Sequence, residues 1–156
     1  MHEGSKEVEY IAEIGLNHNG DIDLAKKHID HALEAGATVA KFQTYFTETR
    51  TFKREALRQI LKDCELSPEQ FKELKDYCDK SGITFCSTPF CLKSVKVLND
   101  IGCKVFKVAS FHMSNYKLIE EIGNSDSINN LIISTGMSTN DEILKLNNWL
   151  ENRTWS

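Results

Sequence analysis

No apolar run in the 156-residue chain approaches the ~18 residues of a membrane span. Met1 to Glu7 is polar and lacks the apolar stretch of a signal peptide, so a cytosolic location is expected. Basic clusters with interleaved aromatics are missing and the formal net charge is -4, which points away from nucleic acid as a partner. The five cysteines are an odd number and no two form a C-x-x-C pair. Cys64, Cys78, Cys86, Cys91 and Cys103 are therefore expected as reduced, mostly buried thiols, not as a zinc site or a disulfide framework. No G-x-G-x-x-G follows the first predicted strand, so a dinucleotide fold has no support. What is there is ordinary for a globular domain with a core: 40% hydrophobic and 27% charged residues.

The hydrophobic pattern alternates strand with helix. Strands are predicted at 10–14, 38–43, 83–87, 104–109 and 131–134. Between them, Ile22, Ala25, Ile29, Ala32 and Leu33 mark one helical face, with Gly36 closing the helix. Ala56, Leu57, Ile60 and Leu61 mark another within the excursion from Thr44 to Asp63. Ser67-Pro68-Glu69-Gln70 is a helix start, because Ser67 can cap, Pro68 suits the first turn and Gln70 can complete a capping box. Phe71, Leu74 and Cys78 follow on its buried face, and Gly82 ends it. Leu92, Val95 and Leu98 mark a fourth helix, Leu118, Ile119 and Ile122 a fifth, and Ile143, Leu146 and Leu150 a last one starting near Thr139. Five strand-then-helix units imply an α/β fold with parallel strands. The pattern alone leaves a (β/α)8 barrel and a doubly wound sheet both open. A complete barrel needs about 200 or more residues, so the chain is either an open sheet or part of a larger barrel.

Two lysines interrupt the apolar strands: Lys41 within Val39-Ala40-Lys41-Phe42, and Lys107 within Val105-Phe106-Lys107-Val108. Parallel strands are normally covered on both faces, where a lysine must meet an anion or lose its charge. Two such residues on different strands suggest a multiply charged anion between them. The bland alternative is two lysines whose stems reach solvent at strand ends. Polar residues also recur at the C-terminal ends of the strands: Glu13; Gln43 on the face of Lys41; Ser87 and Thr88; Ser110; Ser134 and Thr135. Hydroxyls donate to phosphate and carboxylate oxygens. Glu13 suits orienting a sugar hydroxyl or water, or taking a proton, unless it only balances a lysine. In Asn17-His18-Asn19-Gly20 the turn explains Asn19 and Gly20 but leaves His18 as a candidate facing the site from the first loop.

Together these motifs resemble the N-terminal half of the sialic acid (nonulosonic acid) synthases. Ala12-Glu13-Ile14-Gly15-Leu16-Asn17-His18-Asn19-Gly20 is similar to their opening signature, and Lys41-Phe42-Gln43-Thr44 to their second strand. Ser87-Thr88-Pro89-Phe90, Phe106-Lys107-Val108-Ala109-Ser110 and Ser134-Thr135-Gly136-Met137 are similar to the ends of their third, fourth and fifth. The resemblance implies a (β/α)8 TIM barrel, of which residues 1–156 are the first five βα units. The remaining strands and the family's antifreeze-like domain are expected to lie outside the chain. It implies a carbon–carbon bond-forming transferase that condenses phosphoenolpyruvate with N-acetylmannosamine or a related amino-sugar aldehyde, in carbohydrate and polysaccharide biosynthesis. Lys41, Thr88, Lys107, Ser110 and Ser134 would hold phosphoenolpyruvate, and Glu13 would be catalytic. Gln43, His18 and His112 would lie toward the sugar. The divalent cation of the family, Mn2+ or Mg2+, would take its ligands from later strands, leaving no metal ligand in this chain. The full-length family forms a homodimer, and a complementing C-terminal chain is a further expected partner.

One position departs from the family pattern. Ser110 is followed by Phe111-His112, where the family usually places a small or aromatic residue and then a glutamate. The chain alone is expected to be inactive and, with two open sheet edges, oligomeric or poorly soluble. The alternatives are a non-catalytic half-barrel that binds an anion or a partner chain, and an aldolase using Lys41 or Lys107 as a Schiff-base nucleophile.

Overall fold

The computed structural model describes residues 8–50 and 55–153. The polar Met1 to Glu7 stretch lies outside them. Five strands follow one another, β1 (Ile11–Gly15), β2 (Val39–Thr44), β3 (Thr84–Pro89), β4 (Val105–Val108) and β5 (Asn130–Ile133). Among the described residues six α-helices follow the strands: α1 (Ile22–Glu34) after β1, α2 (Glu55–Asp63) and α3 (Pro68–Ser81) after β2, α4 (Leu92–Asp100) after β3, α5 (Tyr116–Gly123) after β4 and α6 (Asn140–Glu151) after β5.

Local chemistry sets the element boundaries. The Asp21 carboxylate accepts from the backbone N–H groups of Asp23 and Leu24 and caps α1. The box expected at Ser67 is formed: Ser67 Oγ accepts from Gln70 N–H, and Gln70 returns a bond to Ser67 N–H. Thr139 and Glu142 repeat it at the start of α6. Gly82 ends α3 in the left-handed region, at φ 78°. Gly20 is fixed twice over, by a φ of 80° and by the main chain at Asp63, whose carbonyl oxygen would lie 2.1 Å from any added Cβ.

All four strand pairings are parallel and the order is β1-β2-β3-β4-β5. A doubly wound sheet reverses its order at a switch point. This one never does, so the winding is that of a barrel wall, and the choice left open by the pattern is resolved. The two faces differ in composition. Ala40, Phe42, Phe85, Phe106 and Val108 pack with Ile29, Leu74, Leu98, Ile119 and Ile122 of the helices in one large core. The opposite face carries a small cluster drawn only from strands, Val39, Cys86 and Val105 with Ile132 against it. The helices therefore cover one face and leave the other for the barrel interior. Both sheet edges are less covered than the middle. β5 has no fully buried residue and Ile11 of β1 is exposed, whereas five of the six residues of β2 are buried.

Candidate anion site on the inner face

Side chains alternate along a strand, so Lys41 and Gln43 share the face of Val39, and Lys107 shares that of Val105. The register arranges these residues in rows. Glu13 stands opposite Lys41, Lys41 opposite Cys86, and Cys86 opposite Val105. One step toward the C-terminal ends, Gln43 stands opposite Thr88. Lys107 lies two residues beyond Val105, in line with Thr88 on the same face, and opposite Ile132. Lys41 thus lies directly across from Cys86 and Lys107 diagonally from it on one face, and both ammonium charges act on the Cys86 thiol.

Lys41 is 3% exposed, although it belongs to a residue type that rarely sits inside unpaired. Its Nζ lies 2.5 Å from Glu13 Oε2. The Glu13 side chain is 64% exposed, so the pair joins a fixed buried cation to a carboxylate at the solvent boundary. A bulge in the pairing follows this pair directly. The register passes from Glu13↔Lys41 to Gly15↔Phe42, leaving Ile14 as the extra residue, and Gly15 takes a φ of +59°. Lys107 is half-buried and makes no ion pair among the described residues. The Thr88 hydroxyl is buried without a hydrogen-bond partner, the state of a donor awaiting an acceptor.

A family profile described as the NeuB family matches residues 28–155. The chain belongs to the NeuB family. It is 44% identical over 142 residues to the uncharacterized protein MJ1065 of Methanocaldococcus jannaschii, covering 91% of this chain and 42% of that protein. It is 36% identical to the N,N'-diacetyllegionaminic acid synthase of Campylobacter jejuni, covering 88% of this chain and 45% of that one. Among solved structures, the N-acetylneuraminic acid (sialic acid) synthetase of Leptospira borgpetersenii in complex with citrate superposes with a TM-score of 0.86 at 34% identity. That match covers 94% of this chain and 50% of the synthetase. The chain therefore spans about half the length of the proteins it matches.

The remaining NeuB-type motif residues fall in several places. Ser110 opens a 3-10 turn, Ser110–His112, directly after β4, and Ser134 follows β5, its N–H donating to the Val108 carbonyl. Both are half-buried at the C-terminal ends of the strands. Ser87 does not join them. Its neighbour Thr88 faces the inner side, so Ser87 points to the helix side, where its hydroxyl lies 2.7 Å from Thr44 Oγ1. His18 is buried against Phe42, a residue of the helix-side core. Its Nδ1 accepts from Gly20 N–H, and its Nε2 is buried without a partner. Burial, followed by the neighbouring His28, holds the His18 pKa below the ordinary 6.5.

His112 belongs to an aromatic rim. Its ring meets Phe90 edge-on at 6.0 Å and Phe111 at 4.5 Å, and its Nδ1 is buried without a partner. The Arg50 guanidinium lies 4.7 Å over Phe90. Burial first, then the charge of Arg50, lowers the His112 pKa. Sequence reasoning missed Arg50 and Phe90 in this rim because they are brought together only by the excursion after β2. It also treated Cys86 as one more buried thiol. The spacing Cys86-x-Thr88, in register with Lys41-x-Gln43, was the available signal. Burial pushes the Cys86 thiol up to about 12, so the residue fills space between the lysines without adding a thiolate.

Among the described residues, no three His, Cys, Asp or Glu side chains converge as metal ligands. Glu13, the carboxylate nearest the lysines, is already engaged by Lys41. These residues do not form a cation site by themselves. No helix among the described residues is long and apolar enough to cross a membrane.

Proposed function

We propose that this chain contributes the phosphoenolpyruvate-binding wall of a nonulosonic acid synthase, the enzyme that joins phosphoenolpyruvate to an N-acetylated amino-sugar aldehyde. The observation that carries the reading is Lys41, 3% exposed on the inner face it shares with Lys107 and the unpartnered Thr88 hydroxyl. Phosphoenolpyruvate bears a carboxylate and a phosphate, and two ammonium groups on the strands either side of β3 match that pair of anions. In this assignment Lys41, Thr88, Lys107, Ser110 and Ser134 bind phosphoenolpyruvate, and Gln43 and His112 lie toward the sugar. His18 supports the first loop.

The chain's own residues would hold the enol with its carbon directed at the aldehyde, balance its charge and position a hydroxyl or water at Glu13. Attack of the enol carbon on the aldehyde forms the new carbon–carbon bond. Attack leaves the neighbouring phosphate-bearing carbon cationic; water adds there and loses a proton, and the C–O bond to phosphate then breaks to give the keto group and inorganic phosphate. A divalent cation, Mn2+ or Mg2+, would polarise the aldehyde. Its ligands, the remaining strands, the antifreeze-like domain and the homodimer contacts would come from polypeptide outside these residues. A cytoplasmic location fits the substrates.

The Schiff-base reading finds less support. A nucleophilic lysine needs an apolar pocket, whereas Lys41 is held by a carboxylate at 2.5 Å. The test is calorimetric titration of the chain with phosphoenolpyruvate, followed by phosphate release assays with N-acetylmannosamine and Mn2+. Expected are binding by the chain alone, and turnover only after addition of a polypeptide bearing the remaining strands. Failure to bind phosphoenolpyruvate removes the reading. Formation of a borohydride-trapped pyruvate adduct on Lys41 or Lys107 would favour the aldolase.

A further inference from the structure

We propose that Glu13 is the internal counterion of this anion site, neutralising Lys41 until phosphoenolpyruvate displaces it. The inference rests on the anion-site reading above and adds how that site is kept ready while empty. The two members of the pair are unequal. Lys41 sits in the middle of the most buried strand and is 3% exposed, so its charge has no route to solvent. Glu13 stands on an edge strand with 64% of its side chain exposed, so it can leave and be solvated at small cost. A buried ammonium without a partner carries a large desolvation penalty, and the 2.5 Å contact to Glu13 relieves it.

The bulge at Ile14 and the positive φ of Gly15 shape the backbone immediately after Glu13. Lys107, by contrast, makes no ion pair among the described residues. An arriving dianion therefore meets one open cation and one that is already neutralised. It binds Lys107 and the Thr88 hydroxyl directly and takes over Lys41 from Glu13. The released carboxylate is then free to accept a hydrogen bond from a sugar hydroxyl or from water. The exchange couples the two halves of the reaction, because Glu13 becomes available to the acceptor only once the donor is bound. It also sets an upper limit on affinity, since every bound anion must compete with a carboxylate that is covalently part of the wall.

The experiment compares the wild-type chain, Glu13→Gln, Lys41→Met and the double variant by calorimetric titration with phosphoenolpyruvate, without metal. Glu13→Gln keeps the shape of the side chain and removes the competing charge. It is expected to bind phosphoenolpyruvate roughly three- to tenfold more tightly than wild type, and this gain should vanish when Lys41 is Met. Without ligand, Glu13→Gln should melt at a lower temperature than wild type, and saturating phosphoenolpyruvate should narrow that gap. Equal or weaker binding by Glu13→Gln, with wild type still binding, overturns the counterion role and leaves the anion site standing. Absence of binding by wild type and Glu13→Gln alike overturns the anion site and the exchange together.

Discussion

The two faces of the sheet are built from the same five strands and use alternate residues of each. On the helix side β2 offers Ala40 and Phe42, β3 Phe85 and β4 Phe106 and Val108, all buried in one apolar core. On the inner side the same strands offer Lys41, Gln43, Thr88 and Lys107 around a small cluster of Val39, Cys86 and Val105. Phe42 and Phe85 stack at 5.6 Å on one side, while Lys41 and Cys86, each next in sequence to one of them, stand opposite each other on the other. One face supplies the apolar burial that stabilises the fold, and the other holds costly polar groups at fixed positions. Neighbouring residues should therefore give opposite phenotypes.

Phe42→Ala and Lys41→Met make the sharpest test of that difference. Phe42 is fully buried, and its truncation removes the transfer energy of a ring and leaves a cavity, at about 3–5 kcal/mol. Urea denaturation should show this as a shift in midpoint with little change in slope. Lys41→Met keeps volume and apolar stem and leaves Glu13 in largely aqueous surroundings, so stability should change by no more than about 1 kcal/mol. Phosphoenolpyruvate affinity should fall by about 2 kcal/mol or more, some thirtyfold. A Lys41→Met variant that unfolds like Phe42→Ala would erase the distinction between the faces.

Next in size is the loss of a cap on the helix layer. Ser67→Ala breaks the box that starts α3 and should cost about 1 kcal/mol in thermal or urea unfolding. Because α3 packs behind β3 and not on the inner face, phosphoenolpyruvate affinity should stay at the wild-type value. A weakened affinity would show that the inner face depends on helix-side order more than its separate packing suggests.

The helix side was the more legible of the two in the sequence, for a physical reason. Periodicity, caps and closing glycines are local, so Ser67 with Gln70, Thr139 with Glu142, Gly36 and Gly82 announced their elements directly. The parallel five-unit sheet followed from their alternation. Strand winding was not local, and only the pairing order separated a barrel wall from a doubly wound sheet. The same holds within the site. That Lys41 and Lys107 share a face followed once the strands were in register, but the Glu13–Lys41 pair sits beside a bulge at Ile14 that no spacing rule indicated. Ser87 read as a strand-end hydroxyl of the site, yet one step of alternation turns it to Thr44. Arg50 meets Phe90 and the neighbourhood of His112 only through the path of the excursion after β2, which around Arg50, ahead of the helical stripe from Ala56 to Leu61, has no periodic signature.

One buried and one half-buried histidine extend the comparison to pH, with the smallest expected effects. His18 leans on Phe42 of the helix-side core, and His112 lies in the aromatic rim at the C-terminal ends of the strands. Both pKa values are lowered from 6.5, each mainly by burial. The unfolded chain then binds more protons than the folded one as the pH drops below about 6.5. Stability is complete above that value, declines as the pH falls from the unfolded toward the folded pKa, and levels off below the latter. His18→Gln should flatten this acid-side decline in melting temperature, because it removes a ring that must stay neutral inside. His112→Gln should flatten it less, since its ring is only half-buried. If phosphoenolpyruvate affinity depended on pH between 6.5 and 5.5 through His18, the loop after β1 would belong functionally to the inner face. A pH response that follows His112 alone would leave His18 with the core that holds it.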